Sequence, residues 1–176
     1  RITLNTSSSF LKDEDLSTKR KNRIASGHVP DNFFAFEVPE KDIYDDYLSR
    51  KPFAKKRTSL GVTLICDGFT GEFVSLERLQ ELGFSEIKIG RDIVGHIDTD
   101  RIKYTQLLSF LQDGKEYGLK VGLIGVENRE QYRMIKEMGY DCYRQGYAFY
   151  PTIENEDFVK AVRHTNISIV SLAEKE

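Results

Sequence analysis

The sequence predicts an α/β fold built on a parallel sheet. Two observations carry that reading. Short apolar, strand-like runs alternate with helical stretches along nearly the whole chain, and almost every run ends on a polar residue. The length sets a bound, since a complete eight-fold (β/α) barrel takes about 250 residues and this chain has 176. Two architectures remain: a (β/α) barrel short by one or two βα units, and an open doubly wound sheet.

Strands are expected near Ile2 to Asn5, Phe33 to Val38, Val62 to Asp67, Glu86 to Ile89, Val121 to Ile124, Cys142 to Gln145 and Ile167 to Leu172, where β-branched and aromatic residues cluster between turn residues. The region from Thr6 to Asp31, with its serine triplet and Lys/Arg run, reads as loop with one short helix. A helix follows over Lys41 to Lys51, carrying Ile43, Tyr44, Tyr47 and Leu48 among charges, with Pro52 to stop it. Leu76, Leu79 and Leu82 mark another, and Ile102, Leu107, Leu108 and Leu111 give an apolar face to a helix over Asp100 to Leu111. After Asn128 the signals are fullest: Asn128 as N-cap, Gln131 three residues on as in a capping box, and Gly139 to close the helix. Asp157 to His164 makes a last short helix.

Composition excludes several classes. With 39% hydrophobic and 31% charged residues the chain is that of a globular domain, not a disordered one. A formal net charge of -2 offers no basic field for a nucleic-acid polymer, and the clusters Lys19 to Arg23 and Lys51 to Arg57 read as local surface. No apolar run approaches the roughly 20 residues that span a bilayer, and no charged-then-apolar leader opens the chain. Cys66 and Cys142 lack disulfide-framework or zinc spacing, which fits a reducing, cytoplasmic setting. Arg1 leads directly into a strand-like run, as expected of a fragment or a cut domain.

The polar residues that end the runs are Asn5, Glu37, Asp67, Lys88, Glu127 and Gln145. In a (β/α) barrel the carboxyl ends of the strands build the active site. Asn5, Glu37 and Asp67 are hard oxygen donors from three successive strand ends, a set that suits Mg²⁺ or Mn²⁺ rather than zinc. Lys88 can orient a water or neutralise a phosphate. Each also has a structural reading: Asn5 starting a turn, Glu37 and Glu40 favouring a helix N-terminus, Asp67 pinning the Gly68 loop, Lys88 an exposed strand residue.

Six segments, in order, resemble the EAL family of cyclic di-GMP phosphodiesterases. Leu4-Asn5-Thr6-Ser7 resembles the family's "iNlS" and Phe36-Glu37-Val38-Pro39-Glu40 its "lEiTE"; Asp67-Gly68-Phe69 starts its "DDFGtGySSL", which Ser75-Leu76 ends without a gap. Ile87-Lys88-Ile89-Gly90 resembles "lKID", Gly125-Val126-Glu127 the end of "AEGVE", and Gln145-Gly146-Tyr147 with Pro151 a shortened "QGYxxxxP". The resemblance implies a (β/α) barrel of the TIM type, incomplete by its first βα unit, and hydrolysis of one phosphodiester bond of cyclic di-GMP by a metal-activated water. It implies Asn5, Glu37 and Asp67 as metal ligands, Lys88 and Glu127 as catalytic positions, Gln145, Asp67 and Glu127 as ligand contacts, and Glu40 as a loop-steadying acid. Mg²⁺ or Mn²⁺ is the implied cofactor.

The chain departs from the family at chemical positions. The second aspartate of the pair is Gly68, the aspartate after the lysine is Gly90, and the first glutamate of "AEGVE" is Ile124. The segment Thr70 to Val74 differs from the family's glycine-containing loop, and the strand carrying the "EAL" glutamate and an arginine has no match. A two-metal site needs several carboxylates to balance four positive charges. The whole chain, 1–176, is therefore expected to be one partial, degenerate EAL domain that binds cyclic di-GMP or a regulatory protein partner without hydrolysis. The alternative is an active phosphodiesterase, yielding linear pGpG, whose first strand lies outside this chain. A barrel lacking one strand leaves two sheet edges to cover, by a preceding segment or by Ile167 to Leu172.

Overall fold

A computed structural model describes residues 1–7, 32–48 and 62–149, with side chains for all of these but 46–48. The expected segments from 8 to 31, the helix over Asp157 to His164, the strand over Ile167 to Leu172, and Pro151 lie outside the described residues.

Six strands form one parallel sheet in sequential order: β1 (Ile2–Asn5), β2 (Phe34–Pro39), β3 (Thr63–Asp67), β4 (Glu86–Ile89), β5 (Lys120–Ile124) and β6 (Cys142–Gln145). Each pairs parallel with the next, from Asn5 opposite Glu37 to Ile124 opposite Gln145. A doubly wound sheet would reverse its strand order at a switch point. This sheet never does, so the open doubly wound alternative is set aside. Interspersed are helices α1 (Glu40–Leu48), α2 (Leu76–Glu81), α3 (Arg91–Val94), α4 (Arg101–Glu116) and α5 (Arg129–Glu137).

Side chains alternate across a strand, and here the alternation separates a core from a lumen. Phe36, Val38, Leu64, Cys66, Ile87, Ile89, Val121 and Leu123 join one cluster with the helix residues Ile43, Leu76, Leu79, Ile93, Leu107, Leu111 and Ile135. The intervening residues Ala35, Glu37, Ile65, Asp67, Glu86, Lys88, Gly122 and Tyr143 face the other way. Two ion pairs show that this second face is concave. Arg1, leading into β1, holds Glu86 on β4 with both terminal guanidinium nitrogens, one at 2.9 Å, and Lys88 on β4 reaches Glu37 on β2. Contacts across two and three strands require the sheet to curl, and the fold is an incomplete (β/α) barrel, a half-barrel.

Caps fix the helices facing the sheet. Asp100 accepts from the backbone N–H groups of Ile102 (2.8 Å) and Lys103 (3.3 Å), and Asn128 accepts from that of Gln131 (2.8 Å). Helix α4 runs five residues beyond the expected end and carries Gly114 within it. The glycine is buried, and a Cβ there would stand 2.6 Å from Val121 Cγ2, so its absence lets the helix lie close on β5. Ile102 corrects the expected apolar face of this helix: it is 76% exposed, whereas Leu107 and Leu111 are buried. Tyr44, counted with the core face of α1, is also exposed.

Candidate functional site

The six strand-end residues all fall at the carboxyl side of the sheet, as the topology requires. Glu37 is buried on the lumen face, and its carboxylate is taken by the Lys88 ammonium, itself largely buried. Asn5 lies directly opposite Glu37 in register and is exposed; the neighbouring Thr6 N–H donates to the Glu37 carbonyl at 2.8 Å. Asp67 is half-buried one strand over, level with Pro39 and so two residues further along. Glu127 follows β5 and pairs with Arg91 at 2.9 Å, and Gln145 ends β6 exposed, its carbonyl accepting from Gly125 (2.8 Å) and Val126 (3.2 Å). The fold thus brings Asn5, Glu37, Asp67 and Lys88 to one side of the mouth. Glu127 and Gln145 stand on the other.

Two loops shape the rim. Asp67 opens the β3–α2 loop, and Glu40, at the first turn of α1, gathers that loop around its buried carboxylate. It accepts from Thr70 N (2.9 Å), Thr70 Oγ1 (2.8 Å), Gly71 N (3.1 Å), Val74 N (3.3 Å) and Phe73 N (3.4 Å). Although Thr70 to Val74 departs from the family's loop sequence, the acid still orders it. The second loop carries Glu127. Its N–H donates to the Gln131 side-chain oxygen at 2.8 Å, while the Gln131 amide donates to Gly95 O (3.0 Å) and Asp98 (3.2 Å), and Asn128 donates to Asp98 at 2.9 Å. Burial raises the Asp98 pKa, but the hydrogen bonds from Asn128 and Gln131 outweigh it and hold the carboxyl below its usual range.

Sequence reasoning missed several members of this set. Gln131 was visible only as a capping-box partner; its side chain in fact takes the N–H one residue before the cap. Arg91 gave one signal, a cation two residues past the β4 run. Deeper in the lumen, Tyr143 lies over Gly122, where a Cβ would overlap the ring. Burial, and then the Glu86 charge, push its hydroxyl well above the ordinary tyrosine range, against the opposing pull of Arg1.

The donor chemistry of Asn5, Glu37 and Asp67 suits a hard divalent cation. Their arrangement does not suit a pair of them. Glu37 is held by Lys88, Asp67 stands further along its strand, and Gly68, Gly90 and Ile124 carry no side-chain oxygen. Among the described residues no group of three His, Cys, Asp or Glu side chains gathers where it could hold a metal ion. The residues present do not fit a two-metal centre.

A parallel half-barrel with polar groups gathered at its carboxyl mouth defines the chain as a (β/α) barrel protein. Residues 1–152 match the EAL domain family, and the chain belongs to that family. It is 27% identical to the cyclic di-GMP phosphodiesterase RocR of Pseudomonas aeruginosa over 132 residues, which is 75% of this chain and 33% of RocR. Among solved structures it resembles the PaMucR phosphodiesterase in complex with c-di-GMP, with TM-score 0.77 and 22% identity over 90% of this chain and 64% of that one. It also resembles a manganese/cy-diGMP complex of Klebsiella pneumoniae BlrP1, with TM-score 0.73 and 19% identity over 85% of this chain and 38% of that one. The chain spans a third or less of the curated relatives' length, 20% of one and 33% of another. No helix among the described residues is long and apolar enough to cross a membrane.

Proposed function

We propose that this chain is a cyclic di-GMP-binding signalling domain, a degenerate EAL domain over residues 1–176, that holds its ligand without hydrolysing it. The observation that carries the reading is the Lys88–Glu37 ion pair in the lumen, in a site where Gly68, Gly90 and Ile124 replace acids. Two-metal hydrolysis needs carboxylates free to neutralise two dications and to settle the attacking and leaving oxygens. Here the central carboxylate already has a protein cation for its partner. A metal entering at Asn5, Glu37 and Asp67 must displace that ammonium.

Binding makes lighter demands. Gln145 stands exposed on one side of the mouth and offers amide donors and an acceptor to a guanine edge or a phosphate. Asp67 and Glu127 offer acceptors to ring and exocyclic N–H groups, and Lys88 a cation beneath them. Such a domain works in the cytoplasm by reporting nucleotide level to a regulatory protein partner.

The test is calorimetry of the full chain with cyclic di-GMP in EDTA, followed by chromatography of the nucleotide after incubation with Mg²⁺ or Mn²⁺. The expected result is saturable binding at micromolar concentration and intact cyclic nucleotide. Absence of heat would favour a module that binds only protein. Linear pGpG, formed by the chain and lost in Glu37→Ala, would establish the active phosphodiesterase, with Asn5, Glu37 and Asp67 as ligands and Lys88 and Glu127 as catalytic groups.

A further inference from the structure

The geometry points to Arg91 as a phosphodiester-binding residue, one that grips the ligand's phosphate directly with the donors Glu127 leaves free. The inference rests on the cyclic di-GMP-binding reading and adds the group that holds the anion. Arg91 is the first residue after Gly90, at the carboxyl end of β4, and its side chain is 68% exposed at the rim. Its stem is fixed. Gly125 has φ +87°, and a Cβ there would meet Arg91 Cβ at 2.9 Å, Cγ at 3.0 Å and Cα at 3.2 Å, so the glycine makes the bed on which the arginine lies.

The head is only partly committed. One terminal nitrogen, Nη2, contacts the Glu127 carboxylate at 2.9 and 3.1 Å. A guanidinium carries five N–H donors in a planar fork that matches phosphate in bidentate fashion. Among the described residues the remaining donors have no hydrogen-bond partner. At both Gly90 and Gly68 a Cβ would find no atom within 4 Å beyond the flanking residues, so neither backbone is covered by a side chain packed from elsewhere. With aspartates at those two positions, a phosphate would meet two more negative charges. As the chain stands, it meets glycine backbone at both positions, with Asp67 beside Gly68 and Lys88, paired with Glu37, on the strand before Gly90. Charge-assisted bonds to a phosphate are the stronger kind. Without those two acids the guanidinium is left as the group at this part of the rim with donors to spare.

Three variants separate ligand binding from support of the fold. Arg91→Met keeps an apolar stem over Gly125 and removes the charge; Arg91→Lys keeps a charge and removes the fork; Lys115→Ala removes a cation at the far end of α4. Each is titrated with cyclic di-GMP in EDTA at two salt concentrations, beside a thermal melt. R91M is expected to bind about ten- to a hundredfold more weakly with an unchanged melt and a shallower salt dependence, R91K to fall between, and K115A to match wild type. R91M binding within twofold of wild type, with the same salt dependence, overturns the assignment of Arg91 while leaving the binding domain intact. A wild-type chain that binds no cyclic di-GMP overturns both. A weaker R91M whose loss tracks a lowered melting temperature, and which R91K repairs only in the melt, makes Arg91 a structural residue and refutes the proposal.

Discussion

Replacing Glu40 by alanine removes one buried carboxylate and uncouples the loop from Thr70 to Val74 that stands beside Asp67. The structure sets the magnitude. Of the five donors on that carboxylate, Thr70 N, Thr70 Oγ1 and Gly71 N lie at 2.8 to 3.1 Å, whereas Val74 N and Phe73 N, at 3.3 and 3.4 Å, count for little. A hydrogen bond to a charged group contributes about 1.5 to 3 kcal/mol. Water recovers part of this, because Gly71, Glu72 and Phe73 are exposed. The first turn of α1 also loses an acid that favours the helix N-terminus. The net expectation is destabilisation by about 3 kcal/mol for Glu40→Ala, which lowers Tm by about 6 to 12 °C. Glu40→Gln should cost roughly half as much, since the amide keeps one acceptor oxygen but turns its NH₂ on the remaining donors. Urea unfolding measures the stability, and amide hydrogen exchange at Thr70, Gly71 and Val74 reads the loop itself. Unchanged exchange at those amides, with a stability loss below about 0.5 kcal/mol, would refute the idea that this acid organises the loop.

Two further predictions concern the lumen and the Glu127 loop. Gly122→Ala drives a methyl group into the Tyr143 ring, and overpacking of this kind costs about 1 to 3 kcal/mol; a lowered melting temperature with a changed tyrosine near-UV signal is expected, and an unaltered melt would count against the packing described. Asp98, whose folded pKa is depressed, adds stability above its unfolded value of about 3.9 and loses it as pH falls through the lower folded value. Wild type should therefore be more stable than Asp98→Asn at pH 7, with the difference shrinking toward pH 3; a gap that stays constant in thermal melts across that range would contradict it.

How much of this was legible in the sequence follows from the range of each interaction. The strands could be read because apolar runs of β-branched residues are local, and the ring of strand-end residues because a polar group closing such a run stands out. Helix α3 was invisible: Arg-Asp-Ile-Val is too short to show a period. The last residues of α4 were hidden because the apolar face that marked the helix ends at Leu111, and Gln112 to Glu116 add no large apolar residue to extend it. Ile102 counted as core on spacing alone, yet it lines an open groove of about 770 Å³ with Thr70, Gly71 and Phe110. The ion pairs were beyond reach for a different reason. Glu37 and Lys88 are 51 residues apart, Arg91 and Glu127 36, and Arg1 and Glu86 85, so their meeting depends on the curl of the sheet rather than on any local pattern. The resemblance to the EAL family named the positions at which a site was expected. It took the structure to show that Lys88 already sits on Glu37, and that Arg91 lies over Gly125 and pairs with Glu127.

The central claim is that binding persists at this mouth without hydrolysis. Cyclic di-GMP incubated with the full chain in EDTA and then in Mn²⁺, with calorimetry in the first condition and chromatography in the second, tests it most directly. The account predicts saturable, metal-independent heat and a nucleotide recovered intact; accumulation of linear pGpG, or no heat without metal, would contradict it.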